Sequence, residues 1–160
     1  MLNHQGEDIK ALILMESSSD FSFLDNFRTT WKKVVASNSS LAEEDTFEKS
    51  SDLERIVAYL ETEKPYVQVS FSLHELSQAL NIPHSRVTTC FNKELNTSFP
   101  SYRTKLRLAH AISLLREGTH LTTSIEGVAE RSGFKSKSIF YAAFKEEFGM
   151  TPKDWIKENL

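Results

Sequence analysis

Two groups of side chains in this sequence have the reach and hydrogen-bonding capacity to read the edges of nucleic-acid bases. Ser85, Thr88, Thr89 and Asn92 form the first; Lys137, Ser138, Tyr141 and Lys145 form the second. Hydroxyls and amides donate and accept, whereas an ammonium only donates. Base pairs display a distinctive pattern of donors and acceptors in the major groove, where an ammonium can donate to guanine O6 or N7. Neither group has the make-up of a catalytic centre. The chain shows no Ser/His/Asp arrangement above chance, and its five glycines build no phosphate-cradling loop. His4, His74, His84, His110 and His120 are scattered without metal-ligand spacing. No enzyme activity, catalytic residue, metal or cofactor is therefore expected. Cys90 lies three residues after Val87, on what reads as a core face, and is expected to be a small buried hydrophobe and not a reactive thiol.

Helical geometry decides which of these side chains share a face. With Val87 at 0° and about 100° per residue, Phe91 falls at about 40° and Cys90 at about 300°. The inward face is therefore centred near Val87. Ser85, Thr89 and Asn92 lie roughly opposite, with Thr88 on the flank. The same arithmetic exposes Ser138, Tyr141, Ala142 and Lys145 in the second group, with Lys137 near the helix start. The early positions, Ser85, Thr88, Thr89, Lys137, Ser138 and Tyr141, are the candidates for base edges. Asn92 and Lys145 come later and suit phosphate or sugar.

The elements that position these groups repeat. Leu53, Ile56, Val57 and Leu60 form a helical stripe that Lys64-Pro65 stops. Ser72 and Glu75 have capping-box spacing and open a helix with Leu73, Leu76 and Leu80 inward. Asn81-Ile82-Pro83 makes a turn, and a helix with Val87, Cys90, Phe91 and Leu95 on one face follows. Ser72, Leu73, Leu76 and Ile82 recur 52 residues later as Ser124, Ile125, Val128 and Phe134. Beyond the turn the offset is 53, and Val87, Phe91 and Leu95 recur as Phe140, Phe144 and Phe148. The second turn is longer by one residue and contains Gly133. Two copies of helix, short turn, helix are the mark of the helix-turn-helix. Between them, Ser98 to Glu117 reads as a longer helix closed by Gly118, apolar on more than one face as if packed against both units. Thr151-Pro152 opens a last short helix through Trp155. The expected fold is all-α, with two helix-turn-helix units, a long linker helix and about seven helices after residue 53.

Residues 53–160 resemble the DNA-binding domain of the AraC/XylS family of bacterial transcription activators. The densest match is Ser132-Gly133-Phe134, Ser136, Ser138, Phe140, Phe144-Lys145, Phe148-Gly149, Thr151-Pro152 and Trp155. A second block, Tyr102, Leu106-Arg107, Ala111 and Leu114-Leu115, resembles the family's linker helix. The first unit matches through Leu73, Leu76, Ile82, Val87 and Phe91. The resemblance implies a structural role for the arginine at 107. Of the neighbouring cations, Arg103 and Lys105 read either as a solvated helix face or as phosphate contacts. Three positions depart from the pattern. Pro83 replaces a serine N-cap, Ser77 replaces a small alanine, and Ala142 stands where relatives often carry a long polar side chain. The implied function is a sequence-specific transcription regulator. It would place two recognition helices, about residues 84–95 and 136–148, in successive major grooves.

Charge bears on the same question. The chain carries a net charge of −3. Residues 1–51 hold 5 Lys+Arg against 9 Asp+Glu, or −4, and residues 52–160 hold 14 against 13, or +1. Any positive patch must therefore be local. Residues 1–51 read as an appendage, in which Leu24, Phe27, Trp31, Val34 and Val35 follow helical spacing. That helix is either a packing element or a homodimer contact. Residues 36–52 are polar, acidic and without apolar period, as in a linker. No run suits a membrane span or a signal peptide, and a single cysteine fits a reducing cytoplasm. The expected partners are double-stranded DNA and RNA polymerase. The competing reading keeps the fold but makes it a protein-interaction module with weak or lost DNA binding.

Overall fold

The structure is a computed structural model that describes residues 45–160, with side chains from residue 51 onward. Among these residues there are eight α-helices and no strand. Helix α1 (Asp45–Glu63) comes first, followed by a 3₁₀ turn at Pro65–Val67. Helices α2 (Leu73–Leu80) and α3 (His84–Thr89) make the first unit, and α3 runs on through a π turn at Cys90–Glu94. The linker is α4 (Phe99–Arg116), after which comes a single turn, α5 (Thr119–Thr122). Helices α6 (Ile125–Arg131) and α7 (Lys137–Phe148) make the second unit, and α8 (Pro152–Asn159) closes it. The short α5 is the element that apolar spacing did not foresee.

Local chemistry accounts for the boundaries. Leu53, Ile56 and Leu60 of α1 are buried at helical intervals. The helix stops at Lys64, which is left-handed (φ 46°), because Pro65 disfavours a right-handed residue before it. Its start corrects the sequence reading: residues 45–52, assigned there to a linker on polarity, lie within α1. Ser72 Oγ accepts from the Glu75 N–H at 3.3 Å, and the Ser72 N–H donates to Glu75 Oε2 at 2.7 Å, completing the capping box. Ser77 finds its explanation in the turn, where its hydroxyl donates to the Ile82 carbonyl at 2.6 Å. Arg55 of α1 donates to the Leu80 carbonyl at the end of α2, also at 2.6 Å. Ser98, Ser124, Ser136 and Thr151 cap α4, α6, α7 and α8 through side-chain oxygens. Pro83 at the start of α3 provides no such bond.

Helix α4 buries residues on several sides because a unit packs on each. Tyr102 meets Phe91 at a centroid distance of 5.4 Å, and Phe99 meets Phe91 at 5.3 Å and Phe71 at 5.7 Å. Further along, Leu108, Ala111, Ile112 and Leu115 join Val128, Ala129, Phe134, Phe140, Phe144 and Trp155 in the second core. Phe140 lies 5.0 Å from Phe134 and 5.5 Å from Phe144. Val87, Phe91, Phe140 and Phe144, expected to lock the second helix of each unit, are all fully buried.

Candidate nucleic-acid interface

Burial of Val87 and Phe91 turns the opposite side of α3 outward. Ser85 and Asn92 are exposed there, while Thr88 and Thr89 are half-buried. The threonine hydroxyls are not free donors: Thr88 Oγ1 donates to the His84 carbonyl and Thr89 Oγ1 to the Ser85 carbonyl, each at 2.9 Å. Back-bonding of this kind is the usual fate of a hydroxyl within a helix. Their oxygens can still accept, which matches an exocyclic amino group on cytosine or adenine better than guanine O6. The last turn of this helix is not α-helical, since Leu95 N–H bonds Cys90 O at 2.9 Å in the π turn.

Arg86, on the same helix, turns away from this face. Its Nε donates to Asp52 of α1 at 3.2 Å and a terminal nitrogen to Glu94 at 2.6 Å. Burial disfavours this cation, but the bonds to Glu94 and Asp52 outweigh it and hold its pKa above the ordinary value. Cys90 is inaccessible, and burial reinforced by Glu94 pushes its thiol up to about 12, which leaves it without thiolate character.

On α7, Lys137, Ser138, Ala142 and Lys145 are exposed, as expected. Tyr141 differs: it is half-buried and packs against the second core, edge-on to Phe140 at 6.0 Å. Its helical angle, on the flank between outward and inward faces, allows both contacts. Lys137 is not free either. It forms an ion pair with Glu126 in the first turn of α6, and its ammonium stands 5.5 Å from the Tyr141 ring centroid. The shared hydrogen bond raises the Lys137 pKa and lowers that of Glu126. Both partners are solvated, so the pair orients the ammonium more than it stabilises the fold. Outward-facing Ile139, 51 % exposed, was missed in the sequence reading. The available signal was its position about 100° off Phe140, away from the buried face.

Two of the linker-helix cations, Arg103 and Arg107, are engaged by backbone carbonyls. Arg107 is buried, and its Nε donates to the Tyr66 carbonyl at 2.6 Å and its Nη2 to Gln68 O at 2.8 Å. Burial, with Arg103 beside it, pushes its pKa down to about 10, so it remains a cation at neutral pH. Arg103 donates to the Phe71 carbonyl and stacks 5.5 Å from the Phe99 ring centroid. The structural role implied for Arg107 fits these bonds, and Arg103 is engaged in the same way. Among the described residues no three His, Cys, Asp or Glu side chains converge as a metal site. No described helix is long and apolar enough to cross a membrane.

The arrangement has counterparts in known proteins. Residues 76–158 match a family model described as a helix-turn-helix domain. The chain is 38% identical over 65 residues to the HTH-type transcriptional activator RhaR of Yersinia pseudotuberculosis, a match that covers 41% of this chain and 21% of that protein. It is 33% identical over 102 residues to the HTH-type transcriptional regulator GbdR of Pseudomonas aeruginosa, covering 64% of this chain and 26% of that one. The matched part is thus about a quarter or less of these relatives. Among solved structures, the C-terminal domain of AraT, a response regulator from Geobacillus stearothermophilus, superposes with a TM-score of 0.56 at 28% identity, covering 66% of this chain and 84% of that one. A Listeria innocua protein of unknown function shares the fold at 23% identity and a TM-score of 0.55, covering 66% of this chain and 95% of that one.

Proposed function

The chain belongs to the AraC/XylS family of helix-turn-helix transcription regulators, and from that membership we propose that it is a sequence-specific regulator that grips duplex DNA with α3 and α7. The observation that carries this reading is the paired construction of the two units. Each presents a polar helix face outward because two apolar residues, Val87 with Phe91 and Phe140 with Phe144, pin the opposite face to α4 and a supporting helix. Two helices so held can enter successive major grooves about 34 Å apart on one side of the duplex.

The roles divide by reach and by existing commitments. Lys137, swung from Glu126, donates to guanine. Ser138 and Tyr141 supply further hydrogen bonds, and Ile139 meets a thymine methyl group. Ser85, Thr88 and Thr89 act mainly as acceptors, so the first unit depends more on DNA shape and backbone contact. Asn92 and Lys145 take phosphate or sugar. RNA polymerase is the proposed second partner. The homodimer contact proposed for the helix near residues 24–35 lies outside the described residues, as does most of the appendage at residues 1–51.

Selection of binding sequences from random duplexes, followed by mobility shifts at two salt concentrations, tests the reading. Enrichment of a bipartite site with binding that weakens as salt rises is the expected result. One observation favours the partner-binding alternative: Lys137, the cation best placed for a base edge, is paired with Glu126, and Arg86 of the first unit turns away to Asp52 and Glu94. Failure to bind any duplex at low salt would decide for that alternative.

A further inference from the structure

We propose that Arg107 is a positioning residue that clasps the two helix-turn-helix units together and thereby sets the spacing this protein accepts between its two half-sites. The inference rests on the DNA-binding reading above and adds to it the device that fixes the span.

Three parts of the chain meet at this one guanidinium. It projects from α4, the helix common to both units. Its nitrogens donate to the carbonyls of Tyr66 at 2.6 Å, Gln68 at 2.8 Å and Val69 at 3.4 Å, on the segment that leads into α2. Arg103, one helical turn earlier, donates to Phe71 O on the same segment. The third part is the turn of the second unit. Gly133, at φ 85°, lies so close that a Cβ there would sit 2.6 Å from Tyr66 O, 2.8 Å from Val67 O and 2.9 Å from Arg107 Nε. The approach to the first unit and the turn that launches α7 therefore both close on one buried cation.

Such a joint resists sliding. Charge-assisted bonds are directional, and a shift of about 1 Å would leave a buried cation short of acceptors. The acceptors are backbone carbonyls, which cannot follow by changing rotamer. Duplex DNA demands this stiffness. One added base pair moves the second half-site by roughly 3.4 Å and rotates it by about 35°. A rigid pair of units cannot follow that displacement, whereas a pair hinged on α4 alone could.

The test uses the full chain with spin labels on cysteines introduced at Lys93 and Glu146, both exposed and each on one recognition helix; native Cys90 is buried. Inter-label distances are measured for Arg107, Arg107→Lys and Arg107→Met proteins. Each is also titrated with duplexes whose selected half-sites are moved one base pair closer or farther apart. With Arg107 the distance distribution should be narrow, and a one-base-pair change should weaken binding about tenfold or more. Arg107→Met should broaden the distribution and reduce that penalty to about threefold or less, with weaker binding at the best spacing. Arg107→Lys keeps the charge but cannot span three carbonyls, so it should fall between, and it keeps the test open if the methionine variant does not fold. An unchanged distribution and an unchanged spacing penalty in either folded variant would overturn the clasp. A protein with Arg107 that binds no duplex would instead overturn the DNA reading, and the spacing role with it.

Discussion

Replacing Phe144 by alanine puts the packing argument to a quantitative test. Phe144 has no solvent exposure and is ringed by Phe140 at 5.5 Å, Phe148 at 4.5 Å and Trp155 at 6.4 Å. Truncating a buried phenylalanine costs about 3–5 kcal/mol, as lost transfer free energy plus the cavity left behind. The neighbours here have little room to collapse into that cavity. Phe140 belongs to the same helix and is itself fully buried, and Trp155 is held by α8, whose start Thr151 caps. The expected loss is therefore in the upper part of the range, about 4 kcal/mol. Against a urea dependence of ~2 kcal/mol per molar, the unfolding midpoint should fall by about 2 M with little change in slope. Ile139→Ala, on the outward side of the same helix, should stay within about 0.5 kcal/mol. Urea unfolding followed by circular dichroism measures both. A Phe144→Ala midpoint within about 0.3 M of the parent, or equal losses for the two variants, would refute the assignment of buried and outward faces on α7.

Lys137→Ala should lose roughly ten- to hundredfold in affinity at the selected site and relax the preference at one or two base pairs. Lys145→Ala should weaken binding to all sequences alike and reduce the salt slope by about one; titrations on single-base variants at two salt concentrations separate the two lysines. His110 is half-buried beside Tyr66, and burial together with the Lys64 cation lowers its pKa, with Glu117 opposing. Below the ordinary histidine value of about 6.5 the unfolded chain takes up the proton first. Its contribution is therefore complete above that value and is lost as pH falls toward the lower folded pKa. In thermal melts between pH 7 and pH 5, His110→Gln should lose stability less steeply than the parent. Removing residues 1–44 keeps α1 and should preserve cooperative unfolding. Removing residues 1–63 strips Leu53, Ile56 and Leu60 from the first unit and the Asp52 partner from Arg86. The longer deletion should abolish a sharp transition in that unit, as seen by hydrogen exchange.

Much of this architecture is legible residue by residue. The Ser72/Glu75 box, the serines and threonine at the other helix starts, and the glycines at 118 and 149 act on backbone groups within a few residues of themselves. Spacing alone reports them. The 52- and 53-residue recurrence likewise marks two equivalent cores, because a buried face must be apolar wherever the fold places it. The start of α1 escaped this logic. Residues 45–51 carry no apolar period, and their helix is continuous with the turns anchored by Leu53 and Ile56.

The fate of the cations lay beyond the sequence. Helical angle foretold that Ser138 and Lys145 face outward, but a long charged side chain goes to whichever carboxylate or carbonyl the fold brings near. Arg86 finds Asp52 across 34 residues of chain, and Lys137 finds Glu126 across 11. Arg107 finds the Tyr66 carbonyl across 41 residues, and no local pattern encodes that distance. Sequence by itself determined where the side-chain-capped helices begin, which faces are buried and that two similar units recur. Only the tertiary structure decided which charges remain for a partner and which hold the units together, because long-range electrostatic pairing depends on the closure of the chain and not on spacing along it.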